Sequence, residues 1–344
     1  MSDKAPAPPR DFTYINSVRR KPSEYEAVNL HCQPDARGGW DIDPGLVVEN
    51  NRIAWELSST KLDHPDWYAF RDPAQLWQRS YVKLQAEQER SIERTCEDAI
   101  AGGALADLDE TWAREILGGH YRVWSFVEWG LFRAAFTSAR ETLSDSLSAV
   151  FTFEAFDRLR HAQDVVWWML ALEKAVPGFS DAGAKEQWLE AEHYQPMRRM
   201  VEEIMHATDD WAEVAVVVNL VFDPIVGEVA LSRLVGRLAG PHGDSVTPMI
   251  VRTAERDRRR NQAWTRELVR MLTADDVPAA AENSAVIEEW LAKWTPLAIA
   301  AAEPLATVYE RIPKTTGSFR EILDAAVNAQ AEMVGSLALK GARS

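Results

Sequence analysis

A chain of 344 residues, 46% of them apolar and 26% charged, has a globular composition and can bury a sizeable core. Its formal net charge of −15 argues against a nucleic-acid partner, since that affinity comes from Lys and Arg on phosphate. Two cysteines, Cys32 and Cys96, exclude a disulfide framework and fit a reducing cytosol.

The first six residues, Met1-Ser2-Asp3-Lys4-Ala5-Pro6, contain no apolar stretch, so no signal peptide is expected. Residues 1–60 read as an extended N-terminal arm. Six prolines, from Pro6 to Pro44, and the Gly38-Gly39 pair break any long helix, while Tyr14, Tyr25, Trp40 and Trp55 supply anchoring bulk. Residues 61–344 read as one helical domain. Asp72-Pro73 predicts an N-cap followed by proline at the first helical position, opening a helix over 74–100. Further helices are expected over 121–138, 144–175, 184–192 and 196–206, the second stopped by Pro177-Gly178. Asp210 is placed to cap an apolar helix that Pro224 interrupts and that resumes to Leu238. Its most apolar stretch, 211–222, is too short to span a bilayer. Helices over 247–272, 282–311 and 319–338 complete the chain, and no strand pattern appears after residue 60. Helices this long without heptads predict a large antiparallel bundle. The fourteen tryptophans suit its core or a lasting interface.

Ferritin-like carboxylate proteins bind two irons through a lone Glu on each of two helices and a Glu-x-x-His pair on each of two others. The i,i+3 spacing brings carboxylate and imidazole onto one helix face. Larger hydroxylases write the pair twice as D-E-x-R-H. This chain has Asp157-Arg158-Leu159-Arg160-His161 and, a hundred residues on, Asp257-Arg258-Arg259-Arg260-Asn261. Arginine replaces the ligand Glu in both, and Asn261 replaces the second histidine. A guanidinium has no lone pair to give and repels a cation; it is expected instead to pair with a buried carboxylate from a facing helix. In Glu128-Trp129-Gly130-Leu131, Leu131 falls where a ligand Glu should be, and 218–222 is apolar apart from Asn219. Four ligand carboxylates thus read as lost. The intact strings Glu190/His193 and Glu203/His206 lie on short polar helices and read as solvated faces. His161 reads as a satisfied core histidine. No nucleophile elbow, P-loop, dinucleotide fingerprint or zinc spacing occurs.

Residues 19–26 (RRKPSEYE), Phe70-Arg71-Asp72-Pro73 leading to Tyr81 and Gln85, and residues 153–163 (FEAFDRLRHAQ) carry a family likeness. Over nearly its whole length the chain resembles the β subunits of bacterial soluble di-iron monooxygenase hydroxylases, which oxidise methane, propane, alkenes, toluene, phenol or tetrahydrofuran. The resemblance implies an all-α, ferritin-like (ribonucleotide-reductase-like) long-helix bundle. It implies a non-catalytic subunit with no catalytic residue, cofactor or metal of its own, and a di-iron centre in the α subunit. The implied partners are α in dimerised αβ pairs, in some systems a γ subunit, a coupling protein and an NAD(P)H-dependent reductase, in the cytoplasm and away from membranes and nucleic acid. Two other readings stay open: a free-standing helical-bundle metal or cofactor enzyme, and a helical scaffold outside oxygenase chemistry. The first requires convergent core carboxylates, of which the sequence does not reveal four. The second, as a solenoid, requires a helix-pair period that is not found.

Overall fold

The computed structural model describes residues 21–30, 59–206, 209–312, 314, 317–337 and 339. Most of the arm expected over 1–60, Cys32 included, lies outside the described residues. Within it, the short helical turn Glu26–Leu30 lies against the helical domain. The Tyr25 hydroxyl is buried and accepts a hydrogen bond from the Asp72 N–H at 2.9 Å, and Asn29 donates to the Leu76 carbonyl.

Eight long or medium helices follow: α1 (Gln78–Ala101), α2 (Arg122–Glu141), α3 (Asp145–Ala175), α4 (Ala184–Glu190), α5 (Gln195–His206), α6 (Trp211–Arg237), α7 (Thr247–Leu272) and α8 (Ala280–Ala302). A ninth, α9 (Phe319–Gly335), closes the described chain. No strand occurs among the described residues. Capping chemistry sets several starts. The Ser144 side chain accepts from Leu147 N–H at α3, and Asp210 accepts from the Ala212 and Glu213 N–H groups at α6. Ser318 and Glu321 close a reciprocal box at α9.

Four expected boundaries differ. Asp72 does accept from the Ala74 and Leu76 N–H groups, but Gln75 sits at φ +50°, which ends that turn and delays α1 to Gln78. The helical path into α2 begins earlier than expected, as a π-wound stretch over Trp112–Tyr121. The helix expected over 282–311 stops at Ala302, where Pro304 forces a tighter turn, Glu303–Leu305. Most informative is α6, which Pro224 does not interrupt. From Val218 its winding widens to the π form, in which the i→i−4 ladder that a proline breaks is already relaxed. The resulting 27 residues are long and apolar enough to cross a membrane by length and composition, contrary to the expectation for 211–222, and 89% of the apolar window is buried inside the bundle.

That burial places α6 at the centre, with α7, α8 and α9 packed on it, while α2 and α3 pair along their length. Seven tryptophans, among them Trp124, Trp168 and Trp264, have less than 2% of their surface exposed. With Trp67 and Trp188, nine of the twelve tryptophans among the described residues lie in the core. The bundle needs close approach at Gly118, where a Cβ would stand 2.5 Å from the backbone carbonyl oxygen of Ser180. Gly118→Ala is accordingly expected to cost ~1–3 kcal/mol through backbone displacement. A lowered urea midpoint checks this, and an unchanged one would show that the lead-in to α2 yields freely.

Candidate functional site

The two D-R-x-R segments lie in mid-helix, on α3 and α7, and these helices pack together. Their first arginines point into the core. Arg158 grips Asp223 of α6 in a two-pronged pair, Nη1 to Oδ1 at 3.0 Å and Nη2 to Oδ2 at 2.6 Å. It also reaches Glu128 of α2 at 3.4 Å and Glu154, one turn earlier on α3, at 3.3 Å. Arg258 donates from Nη2 to Glu128 Oε1 at 3.0 Å and lies over the Trp124 ring, 5.4 Å from its centroid. Glu128 Oε1 further accepts from Trp124 Nε1 and pairs with His161 Nδ1, both at 2.8 Å. Asn219 fastens Glu154 to Thr265, at 2.9 Å on either side. Helices α2, α3, α6 and α7 thus meet in one buried charge cluster.

The second arginines build an outer layer by exchange. Arg160 of α3 donates to Asp257 of α7 at 2.7 Å, and Arg260 of α7 donates to Asp157 of α3. Asp164 takes the other prong of Arg160. From α1, Gln85 bridges Asp157 at 3.1 Å and Asp257 at 3.2 Å, and the Tyr81 hydroxyl donates to Asp157 at 2.9 Å. Asn261, in the position of a second histidine, also donates to Asp157 at 3.3 Å. Only about 10 Å³ remains open between the layers, room for about one water.

Burial raises the Glu128 carboxyl, but Arg158, His161 and Arg258 outweigh it and hold it well below its usual value. Burial likewise lowers Arg158, while Asp223 and Glu128 carry it well above the normal guanidinium range. Burial lowers His161 despite its Glu128 bond, favouring the neutral ring. That ring donates from Nδ1 to the ionised Glu128, leaving Nε2 to accept from the Tyr121 hydroxyl at 3.3 Å. Glu154 is raised, chiefly by burial. In the outer layer burial pushes Asp164 up to about 7, against the opposing pull of Arg160.

The structure corrects one expectation from the sequence. Carboxylates do converge in the core. Leu131 is buried as an apolar side chain, and Glu128, three residues earlier on the same face of α2, is the acid that enters the cluster. On α6 the acid is Asp223, the residue just beyond the apolar run 218–222. A buried Glu or Asp in otherwise apolar helix was the available signal in both cases. Every oxygen of Glu128 and Asp223 already accepts from, or ion-pairs with, a guanidinium. These residues therefore do not fit a metal cation, whose charge the arginines duplicate. The strings Glu190/His193 and Glu203/His206 do not come together as a site: Glu190 and His206 are exposed, and the His193 ring lies tilted against Tyr194. Among the described residues no group of three or more His, Cys, Asp or Glu is arranged to hold a metal.

Long helices that bring buried acids and a histidine from three helices, and an arginine from a fourth, into one mid-bundle layer define a ferritin-like helical fold. The chain belongs to the Methane/Phenol/Alkene Hydroxylase family, whose model matches residues 48–276. It is 31% identical to the methane monooxygenase component A beta chain of Methylococcus capsulatus, over 90% of this chain and 81% of that one. It is 30% identical to the hydroxylase small subunit of the propane 2-monooxygenase of Mycolicibacterium smegmatis, over 92% and 86% respectively. A chain from a solved structure of toluene 4-monooxygenase superposes with a TM-score of 0.72 at 24% identity, covering 89% of this chain and 99% of that one. Within the family the likeness is to beta or small subunits.

Two outcomes are expected from the cluster. Arg158→Met strands Asp223 and Glu128 without their main counter-charge and should cost ~3–5 kcal/mol. Adding Asp223→Leu should return much of that loss in the same urea titration, and a double variant as unstable as the single would refute the pairing. The second outcome concerns pH. Asp164 has a folded pKa above its unfolded value, so its stabilisation is complete below the unfolded pKa and fades as pH rises through about 7. Asp164→Asn should therefore compare better with wild type at pH 8 than at pH 5, and the reverse ordering would contradict the assignment.

Proposed function

We propose that this chain is the non-catalytic β subunit of a di-iron monooxygenase hydroxylase. In this reading it buttresses an iron-bearing α subunit that inserts one oxygen atom of O2 into a hydrocarbon: an alkane, alkene, aromatic or cyclic ether. The observation that carries the reading is the pair Arg158 and Arg258, which satisfies with fixed guanidinium charge the carboxylates that a metal would otherwise need. The chain keeps the di-iron framework and uses it as a core.

A supporting observation is apolar surface. Trp129 and Phe136 on α2 are 50% and 53% exposed and enclose Phe132 in a chain of ring contacts at 5.2 and 5.8 Å. Phe156 and Leu170 on α3 are 44% and 51% exposed. Contiguous aromatic surface of this kind is what a lasting partner covers. The partner would be the α subunit, across an interface above ~2,000 Å², with the residues of the N-terminal arm laid over it. A coupling protein and an NAD(P)H-dependent reductase, with or without a γ subunit, would complete a cytoplasmic system. The names of the relatives, a component A beta chain and a small subunit of a hydroxylase component, support such an assembly.

Metal analysis with and without the α partner tests the proposal. The lone chain should carry no stoichiometric iron and no NAD(P)H-dependent hydroxylation, whereas the co-expressed complex should carry a pair of irons per αβ unit. Stoichiometric iron in the lone chain, lost on mutating Glu190, His193, Glu203 or His206, would overturn it. Trp129→Glu with Phe136→Glu should weaken co-purification of the two chains while leaving helix content unchanged.

A further inference from the structure

A cavity of about 300 Å³ lies between α6, α7 and α9 and reaches from solvent to the edge of the charge cluster. Its α9 wall is formed by Ala325, Ala326 and Ala329 together with Gln330 and Met333. Three acids line it, and each is already committed to an arginine. Asp223 is held by Arg158 at 2.6 Å, Glu228 by Arg233 at 2.7 Å and Glu255 by Arg259 at 3.3 Å.

What remains uncommitted is donor capacity. Arg258 forms the inner end of the cavity with only 6% of its surface exposed. Its Nε is fully enclosed, 3.6 Å from Asp223 Oδ1, whereas its Nη1 has no hydrogen-bond partner among the described residues. Gly227 leaves the approach to this guanidinium clear, since a Cβ there would stand 3.3 Å from Arg258 Nη1. At the mouth, Arg237 forms no ion pair among the described residues, and Arg259 keeps 68% of its side chain exposed. A buried donor left unpaired is costly, and planar guanidiniums are matched to carboxylate and phosphate oxygens.

We propose that this cavity binds a small oxyanion, a carboxylate or phosphoryl group, between the buried Arg258 and Arg237 at the mouth. The ligand would enter past Ala329 and take the hydrogen bonds that no acid of the chain supplies. The site shares Arg258 and Asp223 with the charge cluster, but the proposal depends neither on the subunit reading nor on iron.

Calorimetric titration of the full chain with sodium phosphate and with sodium malonate, at ionic strength matched with sodium chloride, tests the site. Saturable binding of one or both probes is expected, and the probe that binds identifies the oxyanion type. Arg237→Gln should weaken binding about tenfold, the loss of one charge-assisted hydrogen bond. Ala329→Leu should abolish it by filling the cavity, with helix content unchanged. Should that variant not fold, Ala325→Leu fills the same wall. Absence of saturable binding, or affinities that Arg237→Gln and the cavity-filling variant leave unaltered, would overturn the proposal.

Discussion

The structure rests on the neutralisation of buried carboxylates by buried guanidiniums. Glu128, Glu154 and Asp223 come from three helices and meet Arg158 and Arg258 on a pair that includes a fourth. An ion in a low-dielectric core is tolerated only with close, hydrogen-bonded compensation. Each helix is therefore tied to the others in one register, because a slip would strand a charge. Apolar packing alone would leave that register less sharply specified.

The rest of the bundle follows from this constraint. The outer exchange of Arg160 with Asp257 and Arg260 with Asp157 repeats it on the side facing α1, and Gln85 and Tyr81 bring α1 into the same account. Around both layers tryptophan fills the space. Trp124 serves the charge directly, donating to Glu128 from its indole N–H while its ring face lies under Arg258. Further along, Trp211 and Trp264 meet Phe151 edge-on. Central α6 can be almost wholly apolar because its one acid at the cluster, Asp223, is fully paired.

Under the proposed function, the same arrangement would turn a di-iron framework into a structural one. Carboxylates that face inward from a helix bundle need positive charge, and either metal ions or guanidiniums can supply it. Metal ions leave open coordination positions for chemistry. Guanidiniums are tethered and form directional bonds, so they yield rigidity. In the proposed complex that rigidity would stand behind the iron-bearing subunit, with the aromatic faces of α2 and α3 turned outward.

The sequence by itself determined the helix starts that a side chain caps, at Ser144, Asp210 and Ser318, and the stop at Pro177-Gly178, because capping and proline geometry are local. It also determined that two matched D-R-x-R faces lie inside long helices and that their arginines need buried acids. It did not determine which acids. Glu128 lies three residues before the expected ligand position and Asp223 just past the apolar run, and only the packing of α2 and α6 against α3 decides that these side chains reach the arginines. Nor did it show that α6 runs through Pro224 or that Gln75 delays α1. The π winding from Val218 and the positive φ at Gln75 are backbone conformations that side-chain type and spacing do not announce.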